Sequence, residues 1–199
     1  MQPSRQIRAA HTADSITVYQ AYSTAIADAA LAAQTFVAPF KRSRMTWIKP
    51  SFLWMAYRSG WATKPGQERV LAIQISRSGF EWALKNSCLS HFEEPTYSNK
   101  EAWQARLDIS CVRIQWDPER DLHHTSLQNR SIQIGLSHEA VDLYVDEWIR
   151  SIEDKTILCH RIRELVNANE TAQALELLPH ESQYALPLNL AKTIGANHT

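Results

Sequence analysis

Apolar positions recur at two spacings along this 199-residue chain, and the changes from one spacing to the other mark the expected elements. Arg5-Gln-Ile-Arg-Ala9 alternates polar and apolar residues and predicts an opening strand that fixes its two arginines. From Asp14 to about Gln34 an alanine-rich stretch, with Ile16, Tyr19, Ile26, Ala30 and Ala33 near helical spacing, predicts a helix capped by Asp14 or Ser15. Arg44-Met-Thr-Trp-Ile48 reads as extended before Lys49-Pro50, because a residue preceding proline disfavours the helical region. A short helix from Ser51 to Ser59 follows and ends at Gly60. Arg69-Val-Leu-Ala-Ile-Gln-Ile75, rich in branched apolar residues between two turn signals, predicts a central strand.

Phe80 to Asn86 predicts one or two helical turns, and Ser98-x-x-Glu101 offers a capping box for a helix through Trp103 and Leu107. Val112-Arg-Ile-Gln-Trp116 and Ser131-Ile-Gln-Ile-Gly-Leu136 alternate with a period of two, so Arg113 and Gln115 share one face and Ser131 and Gln133 another. Val141, Tyr144, Val145, Trp148, Ile149 and Ile152 follow a helical stripe. A further helix carries Ile157 to Val166, and a shorter one ends at Leu177-Leu178-Pro179. Strands scattered among helices of unequal length predict an α+β fold. The expected form is a single compact domain over residues 1–199, with its core from about 4 to 178 and an irregular arm over 179–199. A small mixed or antiparallel sheet, either continuous or split, would carry flanking helices and a helical C-terminal third.

Composition bounds the class. The chain is 44% apolar and 21% charged, as in ordinary globular proteins, and it has no run of about 18 apolar residues. Its N-terminus, Met-Gln-Pro-Ser-Arg, lacks an apolar signal core, so the chain reads as cytoplasmic and without a membrane partner. Cys88, Cys111 and Cys159 are far apart, which predicts buried free thiols and no cysteine zinc site.

Formal charge is zero overall, but residues 1–69 carry nine Lys/Arg against three Asp/Glu. The block from Arg42 to Trp61 packs Trp47, Trp54 and Trp61 with Arg42, Arg44, Lys49 and Arg58. Arginine forks match phosphate oxygens, and tryptophan and tyrosine faces stack on bases, so this block together with Arg5 and Arg8 predicts a nucleotide or dinucleotide ligand. The competing expectation is that the aromatics are core and the cations only line the surface. Arg130-Ser-Ile-Gln133 supplies a second polar cluster, in which Gln133 either lies on a cleft bed or faces solvent from an edge strand. Asp117-Pro-Glu-Arg-Asp121 reads as an acidic hairpin paired with Arg120 more simply than as a cation site. The adjacent pairs His123-His124 and Cys159-His160 diverge in either a strand or a helix, so no metal is expected. Nucleophile-elbow, dinucleotide-fingerprint and phosphate-loop motifs are absent, which disfavours the standard hydrolase, Rossmann and P-loop classes.

Several long blocks occur in order: Arg5-Gln-Ile-Arg-Ala, Val18-Tyr-Gln-Ala-Tyr22, Arg44-Met-Thr-Trp-Ile-Lys-Pro-Ser-Phe-Leu-Trp-Met, Tyr57-Arg-Ser-Gly-Trp-Ala, Val112 to Asp121 and Arg130 to Leu136. They resemble the family called domain of unknown function 4291 over nearly the whole chain, to about Pro179. His11 and Cys111 stand where that pattern has tyrosine and proline. A more distant similarity is to the ADP-ribosyltransferase superfamily, on the order of Arg5 or Arg8, then Tyr57-Arg58-Ser59, then Gln133. It implies an NAD-using transferase in which Gln133 and Arg58 occupy catalytic positions. Arg5, Arg8, Arg44, Lys49, Tyr57, Ser59, Trp61 and Arg130 would hold the cofactor, with nicotinamide lost through a positively charged ribosyl transition state. An RNA 2′-phosphate transferase, a non-catalytic RNA-binding module and a protein-interaction scaffold are the alternatives.

Overall fold

The computed structural model describes residues 4–197. Met1 to Pro3, at the start of the N-terminus read above, and His198 and Thr199 of the arm lie outside the described residues. The chain runs β1 (Arg8–Ala9), β2 (Ser15–Tyr22), α1 (Thr24–Ala33), β3 (Thr46–Ile48), α2 (Phe52–Ser59), β4 (Arg69–Ser76), α3 (Arg77–Lys85) and β5 (Ser87–Leu89). It continues through α4 (Lys100–Ile109), β6 (Val112–Arg120), β7 (Ser126–Leu136), α5 (Glu139–Leu143), a π-helical turn Tyr144–Trp148 and β8 (Ile149–Asp154). It closes with α6 (Thr156–Asn167), α7 (Thr171–Glu176), β9 (Ser182–Gln183) and α8 (Leu188–Thr193). The fold is α+β, and no helix among the described residues is long and apolar enough to cross a membrane.

The sheet is split. One part has the order β2-β4-β8, all antiparallel; the other has the order β3-β7-β6-β5, antiparallel except for the parallel β5–β6 pair. Ile16, Val18, Leu71, Ile73, Ile114, Ile132 and Ile134 from the two parts meet in one buried cluster with Phe80 and Tyr144. A second cluster gathers Tyr19, Phe52, Trp54 and Trp61 under α6.

Four expectations are corrected. The helix expected over Asp14–Gln34 is a strand followed by a helix, and the helix is preceded by Ser23 rather than Asp14 or Ser15. Branched Ile16-Thr17-Val18 and aromatic Tyr19 and Tyr22 suit a pleated surface, β4 supplies eight paired positions, and the alanines that favour helix start only after Ser23. The stripe expected to be helical through Ile152 breaks at Ile149, where β8 begins and sets Ile152 opposite Ile73. In addition, the arm after Pro179 is not irregular throughout: β9 pairs with β1, and Tyr184 is buried, donating to Glu81 Oε1 at 2.6 Å. At α4 the cap is Asn99, whose Oδ1 accepts from Ala102 N at 2.8 Å, in place of the Ser98 box.

Glu181 anchors this arm, its Oε1 accepting from Phe52 N at 2.8 Å at the start of α2. Burial pushes its carboxyl up to about 8, with a further push from Glu119, against the Phe52 N–H and Arg8. The folded chain therefore keeps a proton that the unfolded chain releases above about pH 4.5, so this contribution to stability is lost as pH rises toward and through 8. Glu181→Gln keeps an acceptor for Phe52 N and removes the titration. Its urea midpoint is expected to fall less than that of the wild type between pH 5 and pH 9, and parallel curves would contradict this assignment.

Candidate functional site

The two parts of the sheet touch where β2 meets the end of β3: Tyr19 N donates to Lys49 O at 2.7 Å, and Lys49 N to Tyr19 O at 3.3 Å. On the other side of this bridge the gap is crossed by side chains. Gln20 Nε2 lies 2.7 Å from Thr46 Oγ1, 3.1 Å from Trp47 O and 2.9 Å from Tyr22 Oη, while Gln20 Oε1 accepts from Tyr144 Oη at 2.8 Å. Burial pushes the Tyr22 phenol up to about 12, so it stays neutral. A cavity of about 770 Å³ opens over this wall. Its other sides come from the loop before β3, from Trp54, Met55 and Arg58 on α2, and from Gln115 and Gln133 on β6 and β7.

Local sequence sets α2 in place. Pro50 ends the extended segment, the Ser51 hydroxyl accepts from Trp54 N at 3.1 Å, and Gly60 closes the helix at φ 58°, a left-handed conformation open to glycine. Trp54 and Arg58 are four residues apart and share the cavity face.

Lys49 is the most unusual group in the wall. Its side chain is 1% exposed, its Nζ is 3.0 Å from Asp117 Oδ2 and 3.2 Å from the centre of a Trp54 ring. Burial pulls the amine down to about 7 even though Asp117 favours its charged form. A lysine poised at neutrality inside a cavity can either give or take a proton.

Cations also stand around the wall. Arg42 is held by Asp146, at 2.6 Å to each carboxylate oxygen, and by Asp142 at 3.1 Å. That clamp fixes the loop between Lys41 and Arg44, both of which line the cavity. Lys41, Arg44 and Arg58 are exposed and form no ion pair among the described residues. No carboxylate among the described residues belongs to the lining.

Of the ten residues given catalytic or cofactor-binding positions, four thus come together, Arg44, Lys49, Arg58 and Gln133, beside Trp47 and Trp54 of the same cationic-aromatic block. The others do not join them. Tyr57 and Trp61 lie on a different face of the α2 region, where Trp61 stacks on His124 at 5.0 Å and Tyr57 meets His124 edge-on at 5.6 Å. Neighbouring helical positions point apart, so Arg58 on the cavity separates from Tyr57. Ser59 is fully buried and donates to Met55 O at 2.9 Å, out of reach of a ligand. Arg5 is closed by a two-point pair with Glu93, at 2.5 and 2.8 Å. Arg8 and Arg130 line a smaller cavity of about 220 Å³, with Ser51, Glu119 and Glu181. The NAD arrangement implied by the distant similarity is therefore not assembled in one place. Sequence reasoning placed Asp117 in a hairpin paired with Arg120, whereas its partners are Lys49 and Gln133. Gln20 and Tyr22 were hidden by the helical reading of their segment.

Gly135 lets the wall form. It sits opposite Trp47, and a Cβ there would fall 2.9 Å from both the Trp47 ring and Met45 Sδ. Gly135→Ala is expected to displace the Trp47 indole and cost about 1–3 kcal/mol in urea unfolding, the usual penalty of overpacking. An unchanged midpoint and unchanged near-ultraviolet dichroism would show that the wall yields freely.

No curated protein matches the chain. The family model described as Domain of unknown function (DUF4291) matches residues 6–184.

Proposed function

We propose, from the premise that this chain belongs to the DUF4291 family, whose description names no reaction, that its cavity binds a nucleotide-class anion for a transfer reaction. One observation carries the proposal: a cavity of nucleotide size whose lining holds Lys41, Arg44, Lys49 and Arg58 with aromatic rings and no carboxylate. Low-dielectric walls of one charge sign strengthen attraction for phosphate, and guanidinium forks bind it at two points. Phe40, Trp47 and Trp54 offer faces or edges to a planar base. NAD is one member of the ligand class, and an RNA end bearing phosphate is another.

Lys49 supplies the chemistry such a site needs. Charged, it gives a proton to a departing group; neutral, it takes one from an attacking hydroxyl. Phosphate bound nearby would favour its charged form.

Calorimetric titration with AMP, NAD and a short single-stranded RNA tests the proposal on the wild type and on Arg44→Ala/Arg58→Ala. Binding is expected in low salt for at least one ligand, weakened about 100-fold or more in the double variant, since each charged hydrogen bond contributes about 1.5–3 kcal/mol. RNA bound best, with a steep salt dependence, would identify the polymer as the ligand. No heat from any of the three in low salt would overturn the proposal.

A further inference from the structure

Gln115 and Gln133 stand directly opposite each other on β6 and β7, and both line the cavity. Gln133 Nε2 lies 2.7 Å from Gln115 Oε1 and 2.8 Å from Asp117 Oδ2. An amide nitrogen carries two hydrogens, so both are used. The same Asp117 oxygen accepts from Lys49 Nζ at 3.0 Å.

These contacts fix which end of each amide faces which neighbour. An ionised carboxylate accepts only, so Asp117 must meet the nitrogen of Gln133; reversing that amide would set oxygen against oxygen at both of its contacts. Gln115 is then fixed in turn, its oxygen meeting a Gln133 N–H. What remains is Gln133 Oε1 as an acceptor and the two Gln115 Nε2 hydrogens as donors. Neither group has a hydrogen-bond partner among the described residues, and neither is among the sealed, unsatisfied polar atoms of the structure. They are open to an occupant of the cavity.

We propose that Gln115 and Gln133, oriented by the Lys49–Asp117 pair, read the ring end of the ligand by selecting a nucleobase or carboxamide edge that offers N–H beside an acceptor. This rests on the nucleotide reading of the cavity and adds its specificity. Gln133 Oε1 takes the ligand's N–H, and Gln115 Nε2 donates to the neighbouring carbonyl or ring nitrogen. Lys49 and Asp117 act as positioning residues here, since a glutamine amide without them is free to offer either end.

The test compares AMP, GMP, UMP and CMP with ribose 5-phosphate by calorimetry, and the tightest nucleotide with its derivative methylated on the base edge N–H. Wild type is expected to prefer the nucleotide over both ribose 5-phosphate and the methylated derivative by about tenfold or more, in the range of a well-formed base-edge contact. Gln115→Met and Asp117→Ala are each expected to erase most of that preference while ribose 5-phosphate still binds, the second because Gln133 then lacks the acceptor that fixes which end of its amide faces the cavity. If Asp117→Ala does not fold, Gln115→Met answers alone. Equal binding of nucleotide, methylated derivative and ribose 5-phosphate by wild type would overturn edge reading and leave the phosphate site standing. No binding by any probe would remove both.

Discussion

Lys49→Met is expected to make the protein more stable, by about 1–4 kcal/mol near pH 6, the range seen when buried charge gives way to apolar packing. The pair is asymmetric: the Lys49 side chain is 1% exposed and that of Asp117 is 30% exposed. Removing the lysine leaves a carboxylate that reaches solvent and keeps its bond from Gln133 at 2.8 Å. The pH dependence has a definite sign. The folded Lys49 amine is pulled down to about 7 from its ordinary 10.5, so between these values the unfolded chain binds the extra proton and stability rises with pH. Below about pH 7 both states are charged and the full cost of burial is present. The gain from Lys49→Met should therefore be largest at pH 6 and shrink toward pH 10, while nucleotide binding weakens. Urea unfolding across that range checks it. A variant less stable than wild type at pH 6 would mean that the lysine is held for structure.

Asp117→Ala is expected to do the opposite, costing about 3–5 kcal/mol at pH 6, because it strands a buried charge that has no other carboxylate within ion-pair distance among the described residues. Without Asp117 the amine gives up its proton below pH 7, so by pH 8 it is neutral in variant and wild type alike and the loss should be narrower than at pH 6. Gln133 also loses an acceptor, so part of the cost remains at every pH. A loss that does not change between pH 6 and pH 9 would show that Asp117 acts through packing or Gln133 alone. Opposite signs for the two halves of one ion pair distinguish a lysine kept for chemistry from one kept for stability.

The sequence made the local features of this site legible and left the long-range ones hidden. Pro50, the Ser51 cap and Gly60 set the bounds of α2 from their own chemistry, and alternation along Val112–Trp116 and Ser131–Leu136 marked both strands that carry Gln115 and Gln133. The cationic-aromatic block also held three of the four cavity cations: Arg44, Lys49 and Arg58. What it could not display was the partner of Lys49, which lies 68 positions away. Asp117 has Arg120 as a near neighbour in sequence, and only the β3–β7–β6 order brings it to the lysine instead. Gln20 and Tyr22 were obscured because Ala21 and the alanines from Ala25 onward blended a strand into the helix that follows. Branched residues at Ile16, Thr17 and Val18 were the signal that could have divided them. Tyr57 and Trp61 illustrate the converse: proximity in sequence to Arg58 did not put them on its face of the helix.

The central claim is that an anionic nucleotide occupies the cavity beside Lys49. Titration of the Lys49 side chain by carbon-13 NMR in lysine-labelled protein, free and saturated with the tightest nucleotide, tests it most directly, with Lys49→Met assigning the resonance. A midpoint near pH 7 in the free protein that moves upward when the nucleotide binds is the predicted result. A midpoint that stays the same at saturation would contradict it, because a phosphate held by Arg44 and Arg58 in the same low-dielectric cavity must favour the charged form of this amine.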